Sequence, residues 1–214
     1  MPEPPAGTRD HANWVYGRGK REAEACLRAA AAARGGRDLV LRLPVVQGAN
    51  DGSRRLWAYL ERLRDGGPLL LPDGGTNPAR FVWAEDVARV LASLAGGLEP
   101  PGRVYNLAMP DEPRLRDLLA GAAAVLGVAA DFVPCTEDDL GEAGLDLYVS
   151  PYSGAWCSRP DPARATAELG FRGTPSAAWL PEVVRAHLAE ARPASHPAYA
   201  GRARELALAA RLRG

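Results

Sequence analysis

Hydrophobic side chains recur every three or four residues along seven stretches of this chain, and they form short continuous runs along five others. The first pattern is typical of amphipathic helices and the second of buried strands. Because helical and strand-like stretches alternate, the pattern predicts an α/β fold. The predicted helices cover about 14–33, 53–65, 85–95, 114–126, 162–169, 176–191 and 199–212, and the predicted strands cover 39–43, 69–71, 81–83, 104–107 and 131–134.

Short polar residues mark the expected starts of the first two helices. Asn13 is a candidate N-cap for the first helix, and Asp51 or Ser53 for the second. Side chains of this kind accept hydrogen bonds from the free N–H groups of a first helical turn.

Charge and composition narrow the class of protein. The 214 residues include 26 basic and 26 acidic side chains, and the sequence pI is about 6.8. Nucleic-acid-binding domains usually have a basic face and a high pI, so no nucleic-acid partner is predicted. No apolar run reaches the roughly 18 residues of a membrane-spanning helix, and the first residues lack the pattern of a signal peptide. We therefore expect a soluble, cytoplasmic protein with no membrane partner.

The cysteines and the acidic residues predict neither a disulfide framework nor a metal site. Cys26, Cys135 and Cys157 are odd in number and have no CxxC spacing, which favours reduced intracellular thiols. Three acidic residues share one short predicted helix, where carboxylates in the first turn suit the helix dipole better than metal binding. These residues are Asp138, Asp139 and Glu142.

Tyr16 and Lys20 are the strongest candidates for chemistry. Lys20 is the only lysine among 26 basic residues, and it follows Tyr16 by four positions, so the two share one helix face. An ammonium beside a phenol favours the phenolate and lets the phenol exchange protons nearer neutral pH. Arginine cannot replace a compact ammonium with rotatable donors. The spacing alone leaves open an aromatic and a cation on an ordinary amphipathic helix.

Five segments occur in an order and at a spacing that resemble one known family. They contain a Tyr-x-x-x-Lys helix, an Arg-x-x-x-Val-x-Gly loop, an Arg-Phe-Val segment ending in Asp-Val-Ala, a Tyr-Asn-Leu strand, and an Asp-x-x-Arg-Ala signature closing with Leu-Gly-Phe. The segments are Tyr16–Glu24, Leu39–Gly48, Arg80–Ala88, Val104–Leu107 and Asp161–Phe171. Over roughly residues 13–190 the chain thus resembles the extended short-chain dehydrogenase/reductase family, the NAD-dependent epimerases and dehydratases.

The resemblance implies an incomplete Rossmann-like, doubly wound fold with a small substrate-binding lobe. The Gly-rich strand–turn–helix of dinucleotide-binding folds is missing from the sequence, so the chain resembles the C-terminal part of a family member that lacks its N-terminal βαβ units. Residues 1–50 and 81–110 would complete the dinucleotide-binding domain, 51–80 and 111–198 would form the lobe, and 199–214 a C-terminal helix. An N-terminal half-protein or a second copy of the chain is the expected partner.

The resemblance further implies that the complete fold binds NAD or NADP. Tyr16 would be the general acid/base, and Lys20 would activate it and hold the ribose of the nicotinamide. The backbone that follows the first predicted strand would form a wall beside the nicotinamide ring. This wall consists of Leu43, Pro44, Val45 and Val46.

A small-molecule substrate is expected to meet Arg80. This residue aligns with an arginine that often contacts the diphosphate in sugar-nucleotide members of the family, and the alternative is a surface arginine beside a strand. Val45 stands where sugar-nucleotide epimerases often have Asn, and Gln47 where they often have Tyr. These departures weaken the case for a sugar nucleotide.

Two hypotheses of function remain. In the first, the chain is the C-terminal part of an NAD(P)-dependent epimerase, dehydratase or reductase that uses Tyr–Lys acid/base chemistry on a hydroxyl or carbonyl substrate. In the second, it is a non-catalytic remnant that serves as a binding or interaction module. Binding of a nicotinamide cofactor distinguishes them.

Overall fold

The helices and strands of the computed structural model follow the hydrophobic pattern of the sequence closely. The structure describes residues 3–6, 9–153, 159–189 and 195–214, and Cys157 lies outside them. The helices are α1 (Arg9–Ala33), α2 (Arg55–Arg64), α3 (Ala84–Ala95), α4 (Leu115–Leu126), α5 (Glu137–Glu142), α6 (Ala163–Leu169), α7 (Ser176–Ala189) and α8 (Arg202–Arg213). The strands are β1 (Val40–Arg42), β2 (Val45–Gln47), β3 (Leu69–Pro72), β4 (Phe81–Trp83), β5 (Val104–Asn106) and β6 (Phe132–Cys135).

The strands form three parallel pairs: β1 with β5, β2 with β4, and β3 with β6. The chain changes partner at Pro44, which follows β1 and has no N–H group to donate to a neighbouring strand. Within the described residues, the other edge of β1 has no strand beside it. The parallel pairing confirms the predicted α/β class, and the short, separate pairs fit part of a Rossmann-like sheet.

The largest hydrophobic core lies among α2, α4 and α7, with β3 and part of β4. Leu60, Leu119 and Val184 are completely buried there, and Trp179 packs edge-on against Phe81. A smaller core joins β6 to α8, and a third surrounds β4 and β5. Most of the buried apolar surface therefore lies outside the segments assigned to the dinucleotide-binding part.

Helix α1 is far more exposed than the rest of the fold. None of its side chains from residues 11–33 is buried, although Ala, Glu and Arg make the segment a strong helix former. Two ion pairs connect it to the sheet: Glu24 with Arg42, and Arg28 with Asp38 at 3.7 Å. In the described ranges, neither α1 nor any other helix is apolar and long enough to span a bilayer.

Two of the expected helix caps are wrong. Asn13 lies inside α1, because the helix already begins at Arg9. Arg54, with a positive φ of 52°, precedes α2, and no side chain caps that helix. Asp51 instead accepts hydrogen bonds from the backbone N–H and the hydroxyl of Ser53, which closes a local turn before the helix starts.

The acidic cluster does form the expected short helix. Thr136 caps α5, since its hydroxyl accepts from the N–H of Asp139 while the Asp139 carboxylate accepts from the N–H of Thr136. This reciprocal arrangement is a capping box, which satisfies two otherwise free N–H groups. The cap accounts for one of the carboxylates of that cluster.

Candidate functional site

Tyr16 and Lys20 lie side by side on α1. The Lys20 Nζ is 5.3 Å from the centroid of the Tyr16 ring, as expected for positions four apart on one helix face. Tyr16 is 67% exposed, so its hydroxyl is open to a ligand or to another segment of protein. The structure therefore brings together the two residues that the sequence selected.

The ion pairs of α1 show which way this pair points along the sheet. Arg28 meets Asp38 just before β1, and Glu24, one turn earlier in the helix, meets Arg42 at the end of β1. The helix thus runs antiparallel to the strand. Lys20 and Tyr16 lie one and two further turns along, each turn rising about 5.4 Å, towards the carboxyl end of β1.

The four residues expected beside the nicotinamide follow directly from that strand end. Leu43 is 40% exposed and Val46 is 38% exposed, whereas Pro44 and Val45 are half-buried. Val45 packs against the largest core, which fixes the start of β2. This segment leaves two apolar side chains uncovered at the end of β1.

Gly48 closes the Arg-x-x-x-Val-x-Gly loop for a steric reason. A Cβ atom at this position would lie 2.9 Å from the Cβ of Ala84, the first residue of α3. The loop can approach the start of α3 only because residue 48 has no side chain. The buried Asp86 in the first turn of the same helix accepts from the backbone N–H of Thr174 at 2.7 Å and from its hydroxyl at 2.8 Å.

Arg80 is engaged by residues of its own chain. Its Nη1 donates to Glu112 Oε1 at 2.5 Å, while its buried Nε has no hydrogen-bond partner among the described residues. Arg159 Nη2 binds the second oxygen of Glu112, also at 2.5 Å. The hydrogen bond from Arg159, with the positive charge of Arg80, lowers the pKa of Glu112 below its ordinary value. One carboxylate thus holds two guanidinium groups together.

Sequence reasoning missed this partner of Arg80. Glu112 is 32 residues away and Arg159 is 47 residues from Glu112, so no local spacing connects the three. A second missed group surrounds Gln47, which is the last residue of β2. Its Nε2 donates to the hydroxyl of Tyr152 at 2.8 Å, over a separation of 105 residues.

Tyr152 belongs to a buried chain of hydroxyl groups. Its backbone N–H donates to the hydroxyl of Tyr59 at 2.9 Å, and that hydroxyl is 2.9 Å from Ser150 Oγ. Ser150 Oγ is in turn 2.8 Å from Ser153 Oγ. Burial raises the pKa of Tyr59 above its ordinary value, so its hydroxyl stays protonated and can donate. This network fixes the turn at 150–153 against the end of β2.

Known protein families and structures resemble this chain. Residues 3–108 match the model of the NAD dependent epimerase/dehydratase family. No curated protein sequence matches the chain.

Among the solved structures that share its fold are two dTDP-glucose 4,6-dehydratases and the enzyme WbmH. A dTDP-glucose 4,6-dehydratase from Bacillus anthracis, in complex with NAD, has a TM-score of 0.63 at 15% identity over 89% of this chain and 56% of that chain. The enzyme WbmH from Bordetella bronchiseptica, in complex with NAD+, has a TM-score of 0.59 at 19% identity over 88% and 55%. DesIV, a dTDP-glucose 4,6-dehydratase from Streptomyces venezuelae with NAD bound, has a TM-score of 0.55 at 23% identity over 77% and 48%.

The chain spans about half the length of the solved structures that it resembles. The match of residues 3–108 includes Tyr16, Lys20, the loop at Gly48 and the strand at Val104. The likeness in fold extends beyond that range, over as much as 89% of the chain. The resemblance read from the motifs is therefore confirmed: residues 3–108 match the NAD-dependent epimerase/dehydratase family, and the chain has part of a Rossmann-like fold.

Proposed function

We propose that this chain is the C-terminal part of an NAD(P)-dependent epimerase, dehydratase or reductase, and that it acts on a hydroxyl or carbonyl group of a sugar-nucleotide-like substrate. The observation that carries the proposal is the Tyr16–Lys20 pair, with the ammonium 5.3 Å from the phenol ring. The pair is exposed, and its helix runs towards the carboxyl end of β1. In open α/β sheets, ligands bind outside the carboxyl ends of the strands.

Tyr16 would exchange a proton with an oxygen of the substrate. Its phenol gives the proton when that oxygen gains negative charge and takes it back in the reverse direction. Lys20 would support this exchange as a positive charge one helical turn from Tyr16, and its N–H donors would bind ribose hydroxyls. Lysine suits both tasks better than arginine, since its charge is compact and its donors rotate.

The residues present fit one end of a nicotinamide cofactor. Leu43 and Val46 offer an apolar surface for the ring, with the backbone of Pro44 and Val45 between them, and Lys20 offers donors to the ribose. NAD or NADP, when bound, supplies the hydride transfer. The Gly-rich turn that would bind the pyrophosphate is not in this sequence. The chain therefore completes its cofactor site only together with the other half of the fold.

Arg80 would recognise the phosphate groups of the substrate. Its guanidinium already binds a carboxylate, Glu112, through Nη1, and a guanidinium can bind a phosphate oxygen in the same way. Similar structures include a UDP-glucuronic acid 4-epimerase from Bacillus cereus in complex with UDP-glucuronic acid and NAD, with a TM-score of 0.56 at 16% identity over 79% of this chain and 52% of that chain. A phosphate would compete with Glu112 for Arg80 and Arg159.

The exposure of α1 supports the proposal that another polypeptide covers this helix. A helix with no buried side chain over residues 11–33, beside a strand with an open edge, is expected to be covered by an N-terminal half or by a second copy of the chain. The ranges 1–50 and 81–110 would then complete the dinucleotide-binding domain, and 51–80 and 111–198 would form the substrate-binding lobe. We also propose that the protein is cytoplasmic.

The exposure of Tyr16 also favours a second candidate function. A phenol that is 67% exposed is not enclosed by a cleft of this chain, which is what a non-catalytic binding or interaction module would show. Titration of the chain with NADH tests this second candidate. Micromolar binding by this chain alone contradicts the remnant hypothesis.

The enzymatic proposal is tested in a complex of this chain with the βαβ half that carries the Gly-rich turn. We expect Tyr16→Phe to lower kcat about 100-fold or more with cofactor affinity retained, the loss typical of a missing general acid/base. Lys20→Arg keeps the charge, and we expect it to weaken NADH binding as well as turnover. Turnover unchanged by Tyr16→Phe would refute the assignment.

A further inference from the structure

Gln47 is a buried amide with an unused hydrogen-bond acceptor. The residue is 1% exposed, and its Nε2 donates to Tyr152. Its Oε1 is also buried and has no hydrogen-bond partner within the described part of the chain. Leaving such a group unpaired is unfavourable for folding. In the flipped orientation of the amide, Oε1 faces Tyr152 and the Nε2 group is the one without a partner. In either orientation, one polar group of the Gln47 amide can still form a hydrogen bond.

The place of Gln47 in the fold makes this capacity relevant to ligand binding. It is the last residue of β2 and pairs in register with Trp83 at the end of the parallel strand β4. It therefore lies at the carboxyl edge of a parallel pair, the usual position of ligands in open α/β sheets. It directly follows Val46, one of the two exposed apolar residues proposed to face the nicotinamide.

A second buried oxygen without a hydrogen-bond partner lies near the Tyr152 end of this pair. Asp51, four residues on, has an Oδ2 that is buried and has no hydrogen-bond partner among the described residues. Burial raises the pKa of the Tyr152 hydroxyl, and the negative charge of Asp51 raises it further. The region thus presents two acceptor oxygens beside a protonated phenol. The positive charge of Arg55 also acts on Tyr152, in the opposite direction to Asp51. A ligand group that donates a hydrogen bond fits the two acceptor oxygens.

We propose that Gln47, held in place by Tyr152, is a specificity-determining residue whose Oε1 accepts a hydrogen bond from a hydroxyl group on the hexose ring of a sugar-nucleotide-like substrate. This assignment rests on the proposed function for the presence of a substrate at this strand edge. Asp51 lies in the connection between β2 and α2, where the neighbouring residues Ala49, Asn50 and Gly52 are exposed. The hydroxyl would approach Gln47 from the side of this exposed connection.

The side-chain amide signals of Gln47 in a ¹⁵N–¹H spectrum of the intact chain test the proposal. Their absence in Gln47→Met assigns them. Titration with UDP-galactose should shift these signals, and titration with UDP, which lacks the galactose hydroxyls, should not. Tyr152→Phe should reduce the shift, because the amide is no longer held. The signals of the Asn106 amide, which binds the Asp161 carbonyl elsewhere, serve as an internal control.

No shift with UDP-galactose, or an equal shift with UDP, would overturn the assignment. Stability gives a second criterion. Replacement of both partners by apolar groups of similar size is close to neutral when they do not support the fold. We therefore expect Gln47→Met/Tyr152→Phe to unfold at the urea concentration of the unchanged chain or above it. A clearly lower midpoint would assign Gln47 to the fold alone.

The test separates this inference from the proposed function. Tyr16→Phe removes the proposed acid/base, but Tyr16 is not among the hydrogen-bond partners of Gln47 in the described residues, so this variant should leave the amide shift intact. A shift that persists in a protein without nicotinamide chemistry would support Gln47 as a binding residue and refute only the enzymatic role. Turnover of the complete enzyme without an amide shift would support the enzymatic role and refute Gln47 as a binding residue.

Discussion

Arg42 on β1 holds Glu24 on α1 through two parallel hydrogen bonds. The Arg42 Nε donates to Glu24 Oε1 at 2.8 Å, and its Nη2 donates to Oε2 at 2.6 Å. These bonds lower the pKa of the Glu24 carboxyl below its ordinary value. Because α1 buries none of its side chains from residues 11–33, this pair is a principal attachment of the helix that carries Tyr16.

Removal of this ion pair should loosen α1. Since Arg42 is half exposed, solvent screening limits the pair to about 1 kcal/mol. We expect Glu24→Gln to raise amide hydrogen exchange in α1 by up to about fivefold, measured by mass spectrometry. Glu22→Gln is the matched control, because Glu22 pairs with Arg18 on the same helix and does not reach the sheet. Equal exchange in both variants would contradict the attachment.

Gly19 should be replaceable in the isolated chain. A Cβ atom at this position meets nothing within 4 Å, and glycine in a helix costs about 1 kcal/mol relative to alanine. Gly19→Ala should therefore slow amide exchange in α1. Gly35→Ala, at a position with a φ of +63°, should have the opposite effect on the end of the helix. A loss of turnover in the complete enzyme with Gly19→Ala would indicate that the other half packs closely there.

Glu205 should be critical for the attachment of α8. It accepts two hydrogen bonds from Arg62 and one from Arg202, which also pairs with Asp65, and the side chains of Arg62 and Glu205 are both 1% exposed. Glu205→Ala leaves buried guanidinium charge without its partner, which typically costs about 3–5 kcal/mol. We expect a large fall in the urea midpoint. The double variant Arg62→Met/Glu205→Leu should recover most of it, and a double variant as unstable as Glu205→Ala would contradict the electrostatic explanation.

Stability should fall in mild acid because of His196. Burial lowers the pKa of His196 below 6.5, and the positive charge of Arg62 adds to this effect against the opposing charges of Glu61 and Asp146. Its Nδ1 accepts from the backbone N–H of Ala198, which requires an unprotonated nitrogen. The unfolded chain therefore binds a proton more readily than the folded chain.

The lowered pKa of His196 determines the pH range over which the stability of the fold changes. Stability contributed by neutral His196 is complete above the unfolded pKa of 6.5 and decreases as the pH falls from there towards the lower folded pKa. Urea midpoints at pH 7.5, 6 and 5 measure this decrease. His196→Asn keeps an acceptor for the backbone N–H of Ala198 and does not titrate. The urea midpoint of this variant should therefore fall less over the same pH range. Identical pH dependence in the two proteins would rule out His196 as the cause.

Much of the fold could be predicted from the sequence, because the hydrophobic periods are long and clear. The helices at 85–95, 114–126 and 162–169 agree with the structure to within one residue. β2 was not predicted. Only two residues separate it from β1, and Pro44 was interpreted as the end of a single strand. The caps were wrong because they depend on backbone angles, such as the positive φ of Arg54, that the residue type does not disclose.

The candidate site was predictable only where its members are close in sequence. Tyr16 and Lys20 were found because one helical turn joins them. Glu112 and Tyr152 were not, because each meets its partner across 32 and 105 residues, respectively. Neither residue type carries a local signal, so only the packing of the lobe against the strands identifies them. Their roles, like that of the Tyr–Lys pair, await the experiments proposed above.

The solitary lysine also makes this protein convenient to label. Apart from the amino terminus, Lys20 is the one primary amine that the sequence contains, and it lies exposed on α1 beside Tyr16. An amine-reactive fluorophore attached under conditions that spare or block the terminus would report from the proposed catalytic face, without any engineered attachment point. Protection of this amine by a bound dinucleotide would give a direct chemical footprint of occupancy.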